Sequence, residues 1–248
     1  MIYLCIPAHN EERTLGVLLW KLRKVMAEFG RDYEIVVLDD ASTDGTPEVL
    51  ARYDSFLPLR ALRVEERLGY SAALERLLRD VVERAPYPKR DVIVTLQADF
   101  TEDPAALVQM VKTIEGGVDL VAGVPEWDAP APSGSLRFSR WAAPFLLGRA
   151  YRDAPVNDPL SGFRAYRVIV LRKALRELDE GEELLGATGW GANLKLLARA
   201  VPHARRVEEA PFRVRVSPRA RPSRFRSWPT LRALVPLRGI SWPAAPGG

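Results

Sequence analysis

Short apolar runs and helically spaced apolar residues follow one another along the first half of the chain. Residues 2–7 form an apolar run that predicts a buried strand, and Leu15, Leu18 and Leu22 then recur at helical spacing. The same two patterns predict further strands at 33–38, 59–64, 91–96 and 119–124, and further helices at 46–53, 71–84 and after Pro104. Such alternation is typical of an α/β fold, in which a mostly parallel sheet carries helices on both faces.

The second half of the chain has a weaker pattern. Prolines, a glycine and serines interrupt residues 125–160, and we expect a mobile loop or lid there. Regular structure is expected again from Ser161, with a helix that contains Leu194 and Leu197 and then a strand over 207–216.

Polar side chains stand at the ends of three predicted strands. Asn10 and Glu11 follow the first strand. Asp39 and Asp40 end the second, and Asp99 follows the fourth. A single aspartate at a strand end is more often a turn or helix cap than a ligand. Open parallel sheets nevertheless bind ligands at the carboxyl ends of their strands, so the shared position of these groups favours a binding site.

Composition narrows the class of protein. The chain has 248 residues, 47% of them apolar, which suits one large α/β domain. We find no run of about 18 apolar residues and expect no transmembrane helix. Residues 1–7 lack the basic start of a signal peptide. The lone cysteine, Cys5, is expected in the core and fits a reducing compartment.

Charge is distributed unevenly. The net charge is +4, yet the segment from Ala210 to the end contains eight arginines and no acidic residue, so the preceding part is net acidic. A basic tail of this kind suggests an anionic partner, and a merely solvated tail is the alternative. We expect no nucleic-acid partner, because no nucleic-acid-binding motif accompanies the arginines.

Four segments together resemble family 2 glycosyltransferases. Residues 6–12 (IPAHNEE) are similar to the opening signature of that family, and residues 37–46 (VLDDASTDGT) to its nucleotide-binding segment. Residues 97–99 (QAD) stand at the place of its D-x-D motif. Residues 158–164 (DPLSGFR) resemble a signature of the polyprenol- and dolichol-phosphate sugar transferases.

The resemblance implies a GT-A (Rossmann-like) α/β fold over residues 1–216, and the basic tail over 217–248 is interpreted as membrane-interfacial. It also implies a pocket for a UDP- or GDP-linked sugar. The residues implied to bind this donor are Pro7, Ala8, His9, Glu11, Asp39, Asp40, Gln97 and Ala98. Asp99, together with Gln97, is implied to bind Mg²⁺ or Mn²⁺ beside the pyrophosphate.

On the acceptor side, the resemblance implies a polyprenyl phosphate and inversion at the anomeric carbon. The phosphate would face Arg164, Arg221 and Arg224, and Asp158 joins Asp99 and Arg164 as a catalytic residue. A phosphate is already ionised near neutral pH, so no strong general base is required. The implied location is the cytoplasmic face of a membrane, with the protein held peripherally.

The chain departs from the family pattern at several positions. Gln97 replaces the first aspartate of D-x-D, and Asn193 replaces a glutamate that is common in the helix after Trp190. Two alternatives therefore stay open. One is a glycosyltransferase that acts on a cell-envelope polysaccharide or a soluble acceptor. The other is a catalytically weak module that binds nucleotide sugars.

Overall fold

The computed structural model describes residues 1–99, 101–127, 134–179, 181–186, 189–214 and 227–243. The strands are β1 (Ile2–Ala8), β2 (Tyr33–Asp40), β3 (Leu59–Val64), β4 (Val92–Thr95), β5 (Leu120–Trp127), β6 (Arg164–Arg167) and β7 (Val207–Val214). The helices are α1 (Leu15–Phe29), α2 (Thr46–Asp54), α3 (Tyr70–Arg84), α4 (Ala106–Glu115), α5 (Gly134–Leu147), α6 (Arg149–Arg152), α7 (Val168–Arg176), α8 (Trp190–Ala200) and α9 (Ser227–Leu234). Short 3₁₀ helices cover Val201–His203 and Val235–Gly239.

The strands form one sheet in the order β3-β2-β1-β4-β6-β5-β7. Only β6 runs antiparallel to its neighbours, and it pairs with β4 so that Arg164 lies opposite Thr95. This reversal brings the loop before β6 to the edge where the parallel strands end. The predicted mostly parallel α/β sheet is confirmed, and the strands and helices predicted in the first half agree with the structure to within a few residues.

Alternating side chains of the strands build a core on each face of the sheet. Leu4 and Ile6 of β1 point to the face covered by α1, α2 and α4. Tyr3 and Cys5 point to the other face, which α3, α7 and α8 cover. The period of two along β1 explains the division. The prediction that Cys5 lies in the core is confirmed, because its side chain is fully buried.

The expectation of an irregular loop over 125–160 is wrong for most of that segment. Residues 134–152 form α5 and α6, and β5 extends to Trp127. Ala143 and Leu147 of α5 are buried in a third core cluster together with Leu231 and Leu234 of α9. Packing against a helix nearly 90 residues away stabilises α5, which local sequence preference does not anticipate. Among the described helices, none is long and apolar enough to cross a membrane.

Candidate active site

A cavity of about 390 Å³ opens at the carboxyl edge of the sheet. Nine of the residues implied by the family resemblance line it: Pro7, Ala8, His9, Glu11, Asp40, Gln97, Ala98, Asp99 and Asp158. Pro7 and Ala8 end β1, His9 and Glu11 follow it, Asp40 ends β2, and residues 97–99 follow β4. The cavity therefore lies at the predicted rim, where the order of the strands places the ends of β2, β1 and β4 side by side.

Hydrogen bonds join the loop after β1 to the loop after β2. The backbone N–H of Asn10 donates to Ser42 Oγ at 2.8 Å, and the N–H of Thr43 donates to Asn10 Oδ1 at 2.7 Å. His9 Nδ1 lies 2.7 Å from the carbonyl oxygen of Asp40. Asn10 and Ala41 have φ of 53° and 52°, a region that non-glycine residues rarely adopt. These contacts hold a strained rim in one conformation, as is common at binding sites.

Asp39 and Asp40 have different environments. Asp39 is buried and outside the cavity lining; its carboxylate accepts the N–H of Ser42 at 3.1 Å and pairs with Arg63 at 3.0 Å. Both oxygens thus hold neighbouring protein groups, and the predicted contact of Asp39 with the base or ribose stays a prediction. Asp40 lines the cavity, but its two oxygens accept the N–H groups of Leu68 and Gly69 at 2.6 and 2.9 Å.

The bonds of Asp40 position the loop before α3. Gly69 has φ of 84°, which glycine adopts without strain, and α3 begins at the next residue. Arg67 in this loop lines the cavity, although the sequence analysis did not single it out. Asp40 thus holds the loop that places the positive charge of Arg67 at the rim, where it complements anionic ligands.

The segment after β4 contains the groups that suit a divalent cation. Asp99 Oδ1 accepts the N–H of Thr101 at 3.0 Å, and both Asp99 and Gln97 line the cavity. No group of three or more His, Cys, Asp or Glu residues suited to a metal occurs among the described residues. The donor set fits Mg²⁺ or Mn²⁺ held by one carboxylate, one amide oxygen and the oxygens of a bound diphosphate, since Mg²⁺ is usually bound by few protein carboxylates.

Glu102 is a cavity residue that the sequence analysis missed. Its Oε2 accepts the N–H of Gln97 at 2.8 Å, so it fixes the backbone of the segment that contains Asp99. Burial raises the pKa of Glu102 to about 8; the hydrogen bond from Gln97 opposes this, and the charge of Asp99 adds to it. The only sequence signal was an acidic residue shortly after the D-x-D position, and turns commonly contain such residues.

Arg164 does not face the cavity, in contrast to the prediction. Its side chain is 1% exposed, and its guanidinium donates to the carbonyl oxygens of Asn193 and Pro159 at 2.5 and 2.6 Å. β6 places Arg164 inside the sheet, opposite Thr95, where it ties α8 to the loop before β6. The predicted phosphate contact of Arg164 is therefore replaced by a structural role. Arg221 and Arg224 lie outside the described residues.

Arg140 lines the cavity, as Arg164 had been expected to. It belongs to α5 and donates to Asp158 Oδ2 at 2.6 Å. Its guanidinium also lies 5.4 Å from the centre of the Trp127 ring. Asp158 is buried and accepts the N–H of Leu160 at 3.1 Å with its other oxygen. Arg140 was missed because its helix was interpreted as a loop.

A buried polar network supports the loop before β6. Tyr70 donates its hydroxyl to Asn193 Oδ1 at 2.8 Å, and Asn193 Nδ2 donates to the carbonyl of Leu160 at 3.0 Å. A Cβ atom at Gly162 would lie 3.0 Å from both Tyr70 and Asn193, so only glycine fits without displacement. Asn193, a departure from the family pattern, thus has a defined structural role.

Sequence comparison agrees with this arrangement. A family model described as "Glycosyl transferase family 2" matches residues 3–175. The chain belongs to this family. A dolichol-phosphate mannosyltransferase of Pyrococcus furiosus is 29% identical over 190 residues, which cover 72% of this chain and 47% of that protein. A dodecaprenyl-phosphate galacturonate synthase of Rhizobium johnstonii is 25% identical over 175 residues, or 68% of this chain and 48% of that protein.

The chain spans about half the length of the curated relatives it matches. Solved structures share its fold. Glucosyl-3-phosphoglycerate synthase from Mycobacterium tuberculosis, in complex with Mn²⁺, UDP and glucosyl-3-phosphoglycerate, has a TM-score of 0.63 at 23% identity, covering 95% of this chain and 76% of that one. S. aureus TarS with UDP-GlcNAc has a TM-score of 0.56 at 17% identity, covering 88% and 60%. The predicted GT-A fold of this family 2 chain is confirmed.

Proposed function

We propose that this chain transfers a sugar from a nucleoside-diphosphate sugar to the phosphate of a polyprenyl lipid, with inversion at the anomeric carbon. The observation that carries the proposal is one cavity that contains a carboxylate suited to a cation, Asp99, and an arginine suited to an acceptor phosphate, Arg140. The names of the relatives, which are transferases for dolichol and dodecaprenyl phosphates, support this choice of acceptor.

The donor nucleotide is proposed to bind against the joined loops after β1 and β2. Pro7, Ala8, His9 and Glu11 form that side of the cavity, and Arg67 adds a positive charge near its edge. A pocket that is already rigid loses little conformational entropy on binding, which favours affinity. UDP is the nucleotide in two of the solved relatives, and we propose UDP or GDP here.

The diphosphate is proposed to lie beside Asp99 and Gln97, which would hold Mg²⁺ or Mn²⁺. A bound cation neutralises negative charge that develops on the departing nucleoside diphosphate. Glu102 orients this segment through the N–H of Gln97. Asp99 contributes a carboxylate, and the amide oxygen of Gln97 is neutral and is therefore a weaker metal ligand.

The acceptor phosphate is proposed to bind Arg140. Asp158 holds the guanidinium of Arg140 and so sets its direction, while the aromatic ring of Trp127 lies near the same group. An arginine fork donates two parallel hydrogen bonds to a phosphate. The ionised phosphate oxygen then attacks the anomeric carbon from the side opposite the leaving group, and no protein base is needed.

The boundaries and location of the enzyme also belong to this proposal. Residues 1–216 are proposed to carry the transferase chemistry and the basic segment 217–248, which includes Arg221 and Arg224, to add positive charge. This segment is not a separate tail throughout, because Leu231 and Leu234 of α9 pack against α5. Each arginine close to an anionic surface contributes about 1 kcal/mol, so the tail favours peripheral attachment to the cytoplasmic face of a membrane.

The test combines binding with transfer. UDP or GDP at a hundredfold excess over its Kd should stabilise the chain by about 2.7 kcal/mol, and the shift in Tm should be larger with Mn²⁺ present. Labelled sugar should then pass from a nucleotide sugar to a short-chain polyprenyl phosphate. A Tm shift with transfer only to oligosaccharides would favour the soluble-acceptor alternative. A Tm shift without any transfer would favour the catalytically weak binding module.

A further inference from the structure

Helix α5 presents an aromatic stripe to solvent. The stripe consists of Phe138, Trp141 and Phe145, whose side chains are 53%, 64% and 68% exposed. Neighbouring rings contact one another, with centroid distances of 6.0 and 5.1 Å. The spacing of three and four residues places all three rings on one face of the helix, along about 10 Å of its axis.

Among the described side chains of α5, those on the opposite face pack against the protein. Ala143 and Leu147 are buried against Leu231 and Leu234 of α9. The helix is therefore packed on its apolar inner face, and the stripe is a second apolar face that leaves three large aromatic residues in water. Contiguous exposed apolar surface of this kind marks an interaction site more often than isolated exposed residues do.

The charge around the stripe indicates the chemistry of its partner. Segments 134–152 and 227–243, which pack together, contain six arginines and no aspartate or glutamate. Arg149, Arg152, Arg232 and Arg238 are exposed. The guanidinium of Arg238 donates to the carbonyl of Leu146, next to the stripe. The exposed Asp153 directly follows Arg152, so the surroundings of the stripe are predominantly basic. Aromatic residues beside several arginines are typical of helices that lie in the interface of an anionic bilayer.

We propose that the aromatic stripe is a membrane-docking surface that inserts into the interface of an anionic lipid bilayer. The choice of a bilayer over another partner rests in part on the lipid acceptor of the proposed function. Arg140, which lines the cavity, lies on the same helix between Phe138 and Trp141. Docking through α5 would bring the acceptor side of the cavity to the depth of the lipid headgroups, where a polyprenyl phosphate presents its phosphate.

The experiment compares the full chain with two triple variants by sedimentation with vesicles. Phe138→Ala/Trp141→Ala/Phe145→Ala removes the stripe. Trp20→Ala/Phe56→Ala/Tyr87→Ala is a matched control, because these aromatic side chains are 55%, 58% and 65% exposed on other parts of the surface. Vesicles contain phosphatidylcholine alone or with phosphatidylglycerol, at 0.1 M and 1 M salt.

The full chain and the control should bind anionic vesicles equally, and the stripe variant should bind about tenfold more weakly or worse at both salt concentrations. High salt should weaken the vesicle binding of all three proteins, because it screens the charges of the arginines but leaves the apolar contact. Equal binding of the full chain and the stripe variant would overturn the proposal. So would a fall in solution mass of the stripe variant, because the stripe would then join two copies of the chain.

A transfer assay separates this proposal from the proposed function. With a short-chain, water-soluble prenyl phosphate, the stripe variant should retain the activity of the full chain, and with a long-chain acceptor in vesicles it should lose most of it. Equal loss with both acceptors would contradict a docking role. If no acceptor is used by any chain, the proposed function fails, while vesicle binding still decides the role of the stripe.

Discussion

The β1–β2 side and the β4–β6 side of the sheet contribute to the same cavity in different ways. On the β1–β2 side, loops that follow the strands directly are joined by short hydrogen bonds, as between Asn10 and Thr43. On the other side, the wall is assembled from distant segments, as where Arg140 of α5 binds Asp158 before β6. Both sides depend on contacts between separate segments, because Asn10 and Thr43 are 33 residues apart. They differ in that the first side uses positions at or directly after the ends of predicted strands, whereas the second uses α5, which packs against α9.

The comparison separates charged residues that line the cavity from motif residues whose charged groups hold other parts of the protein. Asp39 and Arg164 both belong to motifs, yet both are buried and hold protein groups. Asp99 and Arg140 line the cavity, and the second of these lies outside every quoted motif. Substitutions at these positions should separate residues that act on substrates from residues that hold the fold.

The largest expected effect concerns Asp99. We expect Asp99→Asn to lower metal-dependent transfer by about 100-fold or more, because the carboxylate is the main protein ligand proposed for the cation. The Tm should change little, since the side chain lies at the cavity and not in the core. Asp54→Asn, at an exposed position on α2, is the control. Full activity of Asp99→Asn in Mn²⁺ titrations would show that the metal assignment is wrong.

Arg164→Ala should act on stability instead. Removal of the guanidinium leaves the carbonyl oxygens of Asn193 and Pro159 without their buried donor. The expected loss is about 2–4 kcal/mol in the free energy of unfolding, measured by urea denaturation. An Arg164→Ala chain with unchanged stability and a raised KM for the acceptor would restore the phosphate-binding role.

Arg140→Ala should act on the KM for the acceptor and not on stability. We expect a 10- to 100-fold rise (roughly) in the KM for a short-chain prenyl phosphate, because a charge-assisted hydrogen bond contributes about 1.5–3 kcal/mol. The KM for the nucleotide sugar should stay the same. Arg52→Ala, which changes an exposed arginine on α2, is the control and should leave the KM of both substrates unchanged. If the donor KM rises instead, Arg140 belongs to the donor site.

The smallest expected effect concerns Asp119, which supports the packing on the β4–β6 side of the sheet. Burial tends to raise the pKa of Asp119, but the hydrogen bonds from Arg205 and the charges of Arg205 and Arg167 outweigh it and hold the pKa below its usual 3.8. An acid whose pKa is lower in the folded state stabilises the fold above its unfolded value, and this contribution is lost as the pH falls through the folded value. Asp119 is 3% exposed.

We therefore expect Asp119→Asn to lower the free energy of unfolding by about 1–2 kcal/mol at pH 7, with a difference that shrinks below about pH 4. Urea denaturation of both chains from pH 7 down to pH 3 measures this. A difference that is constant over that range would mean that the hydrogen-bonding geometry of Asp119, and not its charge, stabilises the fold. Transfer activity per folded molecule should stay unchanged.

The amino-acid sequence by itself determined the alternation of strands and helices, the core position of Cys5 and the placement of Asp40 and Asp99 at strand ends. These features follow from local periodicity and from residues adjacent in the chain, so a pattern along the sequence contains them. Asp40 was predicted at the rim; its bonds to Leu68 and Gly69 were not, because those partners are 28 and 29 residues away.

The tertiary structure alone decided which charged groups reach the cavity. β6 runs antiparallel, which places Arg164 inside the sheet, and α5 is stabilised by Leu231 and Leu234 from the far end of the chain. Both outcomes depend on contacts between distant segments, and the burial of apolar surface outweighs the local preference of a proline-rich segment for a loop. Because of the direction of one strand and the packing of one helix, Arg140 lines the cavity and Arg164 does not.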